Sequence, residues 1–115
     1  MHYLLLAYGD EQRLAAMSTS ERRTFEHACL ANDEALWASG RLLASERLHS
    51  SVTTVQICDG QVTISDDRFA AAKEPIVGIF LIDARDLNEA IGVAAQMPQV
   101  QSGSIEIRSM ENFAD

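Results

Sequence analysis

Charge crowds into one short stretch of this chain: Asp66, Asp67, Arg68, Lys73 and Glu74 surround Phe69, and Lys73 is the sole lysine. Carboxylates in such a stretch can move protons, Arg68 and Lys73 can hold an anionic group, and Phe69 can anchor the segment beside a buried strand. The plainer reading is a solvated loop with local ion pairs. Asp66 and Asp67 offer oxygen ligands, but no histidine lies near them in sequence and no metal is expected. Of the three histidines, His2 and His27 read as surface residues. His49 is the preferred functional candidate, because strand ends and loops line clefts more often than exposed helix faces do. Ser50 lacks the glycine context of an activated nucleophile, and no phosphate or dinucleotide glycine pattern occurs, so no cofactor is expected. The ligand-binding candidates are therefore Asp66, Arg68, Phe69, Lys73, Glu74 and His49, for a small anionic or polar ligand. Cys29 and Cys58 have no metal-ligand spacing and read as free thiols packed as small apolar groups. Trp37 and Tyr8 read as packing residues before pocket walls.

These side chains need a scaffold, and 115 residues with 47% hydrophobic and 23% charged content fit a single domain, 1–115. Nine basic against 17 acidic residues leave a net charge of −8, which disfavours nucleic acid and anionic membranes as partners. No apolar run reaches the roughly 18 residues of a membrane span, and the start lacks a basic signal region, so a soluble, cytoplasmic protein is expected. Residues 2–8 and 76–82 are apolar on both alternating sets, as strands covered on both faces are. Ser18-Thr19-Ser20-Glu21 has the form of a capping box for a helix running to Ser39, with Phe25, Cys29 and Leu36 on one stripe and Gly40 ending it. Two short strands fit residues 41–58, and Asp59-Gly60 marks a hairpin. Asp86 and Glu89 open a second helix that Pro98 stops, and Ser104–Arg108 alternates as a last strand.

This order predicts an α+β fold, a ferredoxin-like subunit with an extra β-hairpin. Two helices cover one face of its sheet. The other face would leave several large aliphatic side chains in water unless a second copy covers it, so a homodimer forming a dimeric α+β barrel is expected.

The run DDRFAAAKEPIVGIFLIDARDLNEAIGVAAQM at residues 66–97 resembles the YCII-related family, in the branch marked by a DGPF motif. Asp66, Phe69, Ala70, Lys73, Glu74, Gly78, Pro98, Gly103, Glu106 and Arg108 fall on matching positions, while Asp67-Arg68 stands where the motif has Gly-Pro. The resemblance spans nearly the whole chain and implies a dimeric α+β barrel. Shorter relatives carry a suspected His and Asp pair, whose positions here hold Cys29 and Met97, so that pair does not carry over. Two functions remain open: binding or transforming a small molecule in a cleft beside residues 66–74, or serving as a non-catalytic protein-interaction or regulatory module. The resemblance lends the second some weight, since family members are often found near sigma-factor genes, and implies a link to sigma-factor regulation.

Overall fold

Apolar residues spread along the chain build the sheet, and capped helices close one side of it. The computed structural model describes residues 1–49, 51–66 and 75–110. In chain order the elements are β1 (His2–Gly9), α1 (Glu11–Ala16), α2 (Thr19–Ala38), β2 (Leu42–Arg47), β3 (Thr54–Cys58), β4 (Gln61–Ser65), β5 (Ile76–Asp83), α3 (Leu87–Gln96), α4 (Gln99–Ser102) and β6 (Gly103–Ser109). Strands β2, β5, β1 and β6 form one antiparallel sheet in that order, and β3 and β4 form a separate two-stranded hairpin. The fold is the expected ferredoxin-like α+β arrangement with an added hairpin.

Local chemistry accounts for the boundaries. The Ser18 hydroxyl accepts from Glu21 N–H at 3.1 Å and the Glu21 carboxylate accepts from Ser18 N–H at 3.0 Å, completing the capping box. The same bonds hold the Glu21 carboxyl below its usual value. Asp86 caps α3 through Glu89 N–H at 2.9 Å. Asp59 and Gly60, at φ of 52° and 78°, make the hairpin turn. Helix α1 follows β1 directly, and Asp10 caps it by accepting from Gln12 N–H and Arg13 N–H. Gly103 is required by contact, since a Cβ there would overlap the Tyr8 carbonyl oxygen.

The core lies between the sheet and helices α2 and α3, with Tyr3, Leu5, Phe80 and Ile82 on the sheet side and Ala90, Val93 and Ala94 on α3. Only one alternation of β1 and β5 is buried by the chain itself. Leu4, Leu6, Ile79 and Leu81, on the opposite face, are half-buried. Cys58, expected to pack as an apolar group, is exposed on the hairpin.

Two bulges shape the sheet, one near each end of β5, and a cleft lies at the Val77 end. Leu43 is an extra residue between the Leu42–Ile82 and Ala44–Leu81 pairs, and Val77 is extra between the Tyr8–Ile76 and Ala7–Gly78 pairs. Beyond the Leu43 bulge, Ser45 and Arg47 lie opposite Phe80 and Gly78, on the face that α2 covers.

Candidate functional site

Between α2 and the Val77 end of the sheet lies a cleft of about 170 Å³. Helix α2 contributes Phe25, Cys29 and Asp33, which recur at four-residue spacing and so share one face. Arg47 enters from β2, and Val77 from the β5 bulge. Gln99, on the short helix that follows Pro98, closes the remaining side.

Two polar atoms of this cleft, Asp33 Oδ1 and Gln99 Oε1, are buried and have no hydrogen-bond partner among the described residues. Unpaired buried acceptors are costly and in native structures call for a partner such as water or a ligand. Burial raises the Asp33 carboxyl above its ordinary 3.8, against the pull of the nearby Arg47 charge. Burial likewise raises the Cys29 thiol; Arg47 opposes this, while Asp33 and Glu26 add to it. Cys29, only 6% exposed, is therefore a neutral thiol and a weak nucleophile. Asp33, Glu26 and Glu46 bring carboxylates to the cleft, Arg22 and Arg47 bring positive charge, and Phe25, Val77 and Phe80 form an apolar wall.

The residues expected from sequence fall elsewhere or outside the described chain. His49 is exposed just beyond β2, where its Nδ1 accepts from Ser51 N–H at 3.1 Å. Asp66 is exposed after β4. Neither lines this cleft. Arg68, Phe69, Lys73 and Glu74, like Ser50, lie outside the described residues. The chain rejoins the sheet at Pro75, whose carbonyl accepts from Gly9 N–H at 2.9 Å, and Gly9 lines the cleft. Of the two positions equivalent to the relatives' suspected pair, Cys29 faces the cleft and Met97 is in the core. Asp33 is not among the candidates that the sequence suggests, although it carries a signal there: a carboxylate on the apolar stripe of Phe25, Cys29 and Leu36.

Two other surfaces carry charge. A groove of about 460 Å³ between α2 and α3 is lined by Arg41, Arg85 and Glu89, but it is widely open. Arg85 Nε is already paired with Glu89 Oε2 at 2.6 Å, which lowers the Glu89 carboxyl and raises the guanidinium. On the outer face of the sheet the Tyr8 hydroxyl donates to Glu106 Oε1 at 3.3 Å, and Arg108 Nε donates to the same oxygen at 3.0 Å. Burial and then the Glu106 charge push the Tyr8 hydroxyl upward. Among the described residues no cluster of three or more His, Cys, Asp or Glu side chains could hold a metal, and no helix is long and apolar enough to cross a membrane.

The sheet order, with α2 and α3 on one face and a cleft at the Val77 end, defines a ferredoxin-like α+β subunit with a small-molecule-sized recess. More particularly, the chain belongs to the YCII-related domain family, whose model matches residues 1–114. It is 29% identical over 114 residues to an uncharacterized protein of Rhizobium meliloti (strain 1021), covering 96% of this chain and 92% of that protein. Its fold is similar to that of 5-chloro-2-hydroxyhydroquinone dehydrochlorinase from Burkholderia phenoliruptrix AC1100, solved with 2,5-dihydroxybenzoquinone. The TM-score is 0.57 at 15% identity, over 96% of this chain and 94% of that one.

Proposed function

We propose that this protein, a DGPF-type member of its family, binds a small hydroxylated ring compound in the Cys29–Asp33 cleft and takes a proton from it. The observation that carries this reading is the pair of unpartnered acceptors, Asp33 Oδ1 and Gln99 Oε1, in a recess of about 170 Å³ with an apolar wall. A void of roughly 150 Å³ holds a benzene-sized ring. Two acceptors favour a ligand that donates two hydrogen bonds. The dehydrochlorinase of similar fold is named for a chlorinated hydroxyhydroquinone, a ring that carries O–H donors, and was solved with 2,5-dihydroxybenzoquinone, a ring of similar size.

In the step proposed, the ligand O–H bond breaks, its proton passes to Asp33 Oδ1, and the electron pair stays on the ligand oxygen. Arg47 stabilises that charge. A carboxyl raised by burial is better matched to such a transfer than an ordinary one. Arg68 and Lys73, outside the described residues, would favour an anionic form of the ligand. Two copies pair through the outer sheet face, which Leu4, Leu6, Ile79 and Leu81 make apolar.

Thermal-shift measurements with hydroquinone, catechol and 2,5-dihydroxybenzoquinone test the reading. A ligand at a hundred times its Kd should stabilise the fold by about 2.7 kcal/mol. Asp33→Ala should abolish that gain. If no hydroxylated ring stabilises the chain, or if Asp33→Ala leaves the gain intact, the reading fails. The alternative, a protein-interaction module, draws support from the apolar face that the β3–β4 hairpin exposes.

A further inference from the structure

The hairpin is the part of the chain that its own core does not use. Val55 pairs with Ile64 and Ile57 with Val62, so the four branched aliphatics share one face. They are 62%, 70%, 73% and 63% exposed, respectively. The opposite face carries Thr54, Gln56, Cys58, Gln61, Thr63 and Ser65. A lone two-stranded hairpin is marginal in water and needs a hydrophobic face covered to persist. Here the hairpin stands away from the body. The radius of gyration is 16.2 Å, against about 13 Å for a compact chain of this length.

We infer that the Val55–Ile57–Val62–Ile64 face is an arm that packs onto a second copy of this chain, clasping the sheet-paired dimer proposed above. Charge selects that occupant. The chain carries −8 overall, so two copies repel except where their contact surfaces are neutral. Strands β3 and β4 contain no charged residue, with Asp59 confined to the turn and Asp66 beyond the end. The central outer sheet residues Leu4, Leu6, Ile79 and Leu81 are equally uncharged, and of the charged residues on the flanking strands Glu106 and Arg108 pair with each other while Glu46 stands opposite Ile79. A basic protein partner would instead be drawn to the acidic surfaces that the arm lacks.

Area gives the same answer. The four aliphatics present on the order of 100 Å² each, and a stable interface takes about 800 Å² per partner. The arm therefore supplies roughly half of an interface, and the outer sheet face supplies an adjoining apolar surface for the remainder. In a twofold assembly every such contact occurs twice. The arm leaves the sheet at Arg47, where Leu48 N–H donates to the Val77 carbonyl at 2.9 Å, so its root borders the cleft.

Sedimentation equilibrium on the full chain tests the arm and the sheet pairing separately. The Ile57→Thr/Ile64→Thr double variant keeps strand propensity while removing apolar surface, and should weaken dimerisation at least tenfold with an unchanged circular dichroism spectrum. Thr63→Ser, on the polar face, should leave the dimer constant unaltered. A wild-type dimer whose constant the double variant does not change overturns the arm and leaves the sheet pairing standing, which Leu6→Glu then disrupts. A wild-type monomer in which the hairpin methyl groups show contacts to Leu6 means the arm covers its own sheet, and overturns the inference. A monomer without such contacts overturns the arm and the sheet pairing together.

Discussion

The inner face of the four-stranded sheet and the apolar face of the hairpin are built from similar residues and end in opposite surroundings. Leu5 and Ile82 are fully buried beneath α2 and α3, whereas Ile57 is 73% exposed. Composition alone does not distinguish them. What differs is geometry: a four-stranded sheet with two crossing helices provides its own cover, and a two-residue turn provides none. The cleft lies between these regimes, at the Val77 end where α2 meets β2 and β5 and where the helix cover is incomplete.

The most forceful way to break this comparison is truncation on each side. Leu5→Ala removes a fully buried side chain and should cost about 2–5 kcal/mol in urea unfolding. Ile57→Ala, measured at concentrations where the chain is dissociated, should cost no more than about 0.5 kcal/mol. Equal costs would mean the hairpin face is covered within one chain.

A native pair of probes sharpens the same contrast. Cys29 is buried with its thiol pushed up by desolvation, and Cys58 is exposed on the hairpin's polar side. A thiol-specific reagent near pH 8 should label Cys58 at least about 100-fold faster than Cys29. Comparable rates would place Cys29 in contact with solvent and remove the enclosed character of the cleft.

The smallest effect concerns Asp33. Its carboxyl is raised in the folded chain, chiefly by burial, so folding favours the protonated form. That contribution is fully present below the ordinary 3.8 and is lost as pH rises through the elevated folded value. Asp33→Asn should therefore be slightly more stable than the parent at neutral pH, and the advantage should disappear on acidification through that range. A variant less stable at neutral pH would mean the carboxylate is satisfied, contrary to its unpartnered oxygen.

Much of the fold was legible in sequence because its signals are local. The Ser18–Glu21 box, the Asp59-Gly60 turn and the Asp86 cap each depend on a few consecutive residues, and each is present. The family resemblance agreed with the matched domain. The site was far less legible. The charged run points to Asp66, Arg68, Phe69, Lys73 and Glu74, of which only Asp66 is among the described residues, while the described part of the cleft takes its polar groups chiefly from α2, β2 and α4. Arg47 reaches it only because the Leu43 bulge shifts the alternation of β2, and no pattern in the sequence announces that extra residue. Asp33 was available to inspection as a carboxylate on an apolar stripe. Its significance depended on knowing that Gln99, 66 positions later, leaves a second acceptor unpaired in the same recess.

A hydroxylated ring should meet Asp33 and Gln99 together, and an NMR titration with hydroquinone, whose O–H groups stay protonated at neutral pH, tests that meeting directly. Saturable shifts in the Gln99 side-chain amide and in the α2 amides around Asp33, removed by Asp33→Ala, are the predicted result. Saturable binding that maps away from both residues and survives the substitution would contradict it.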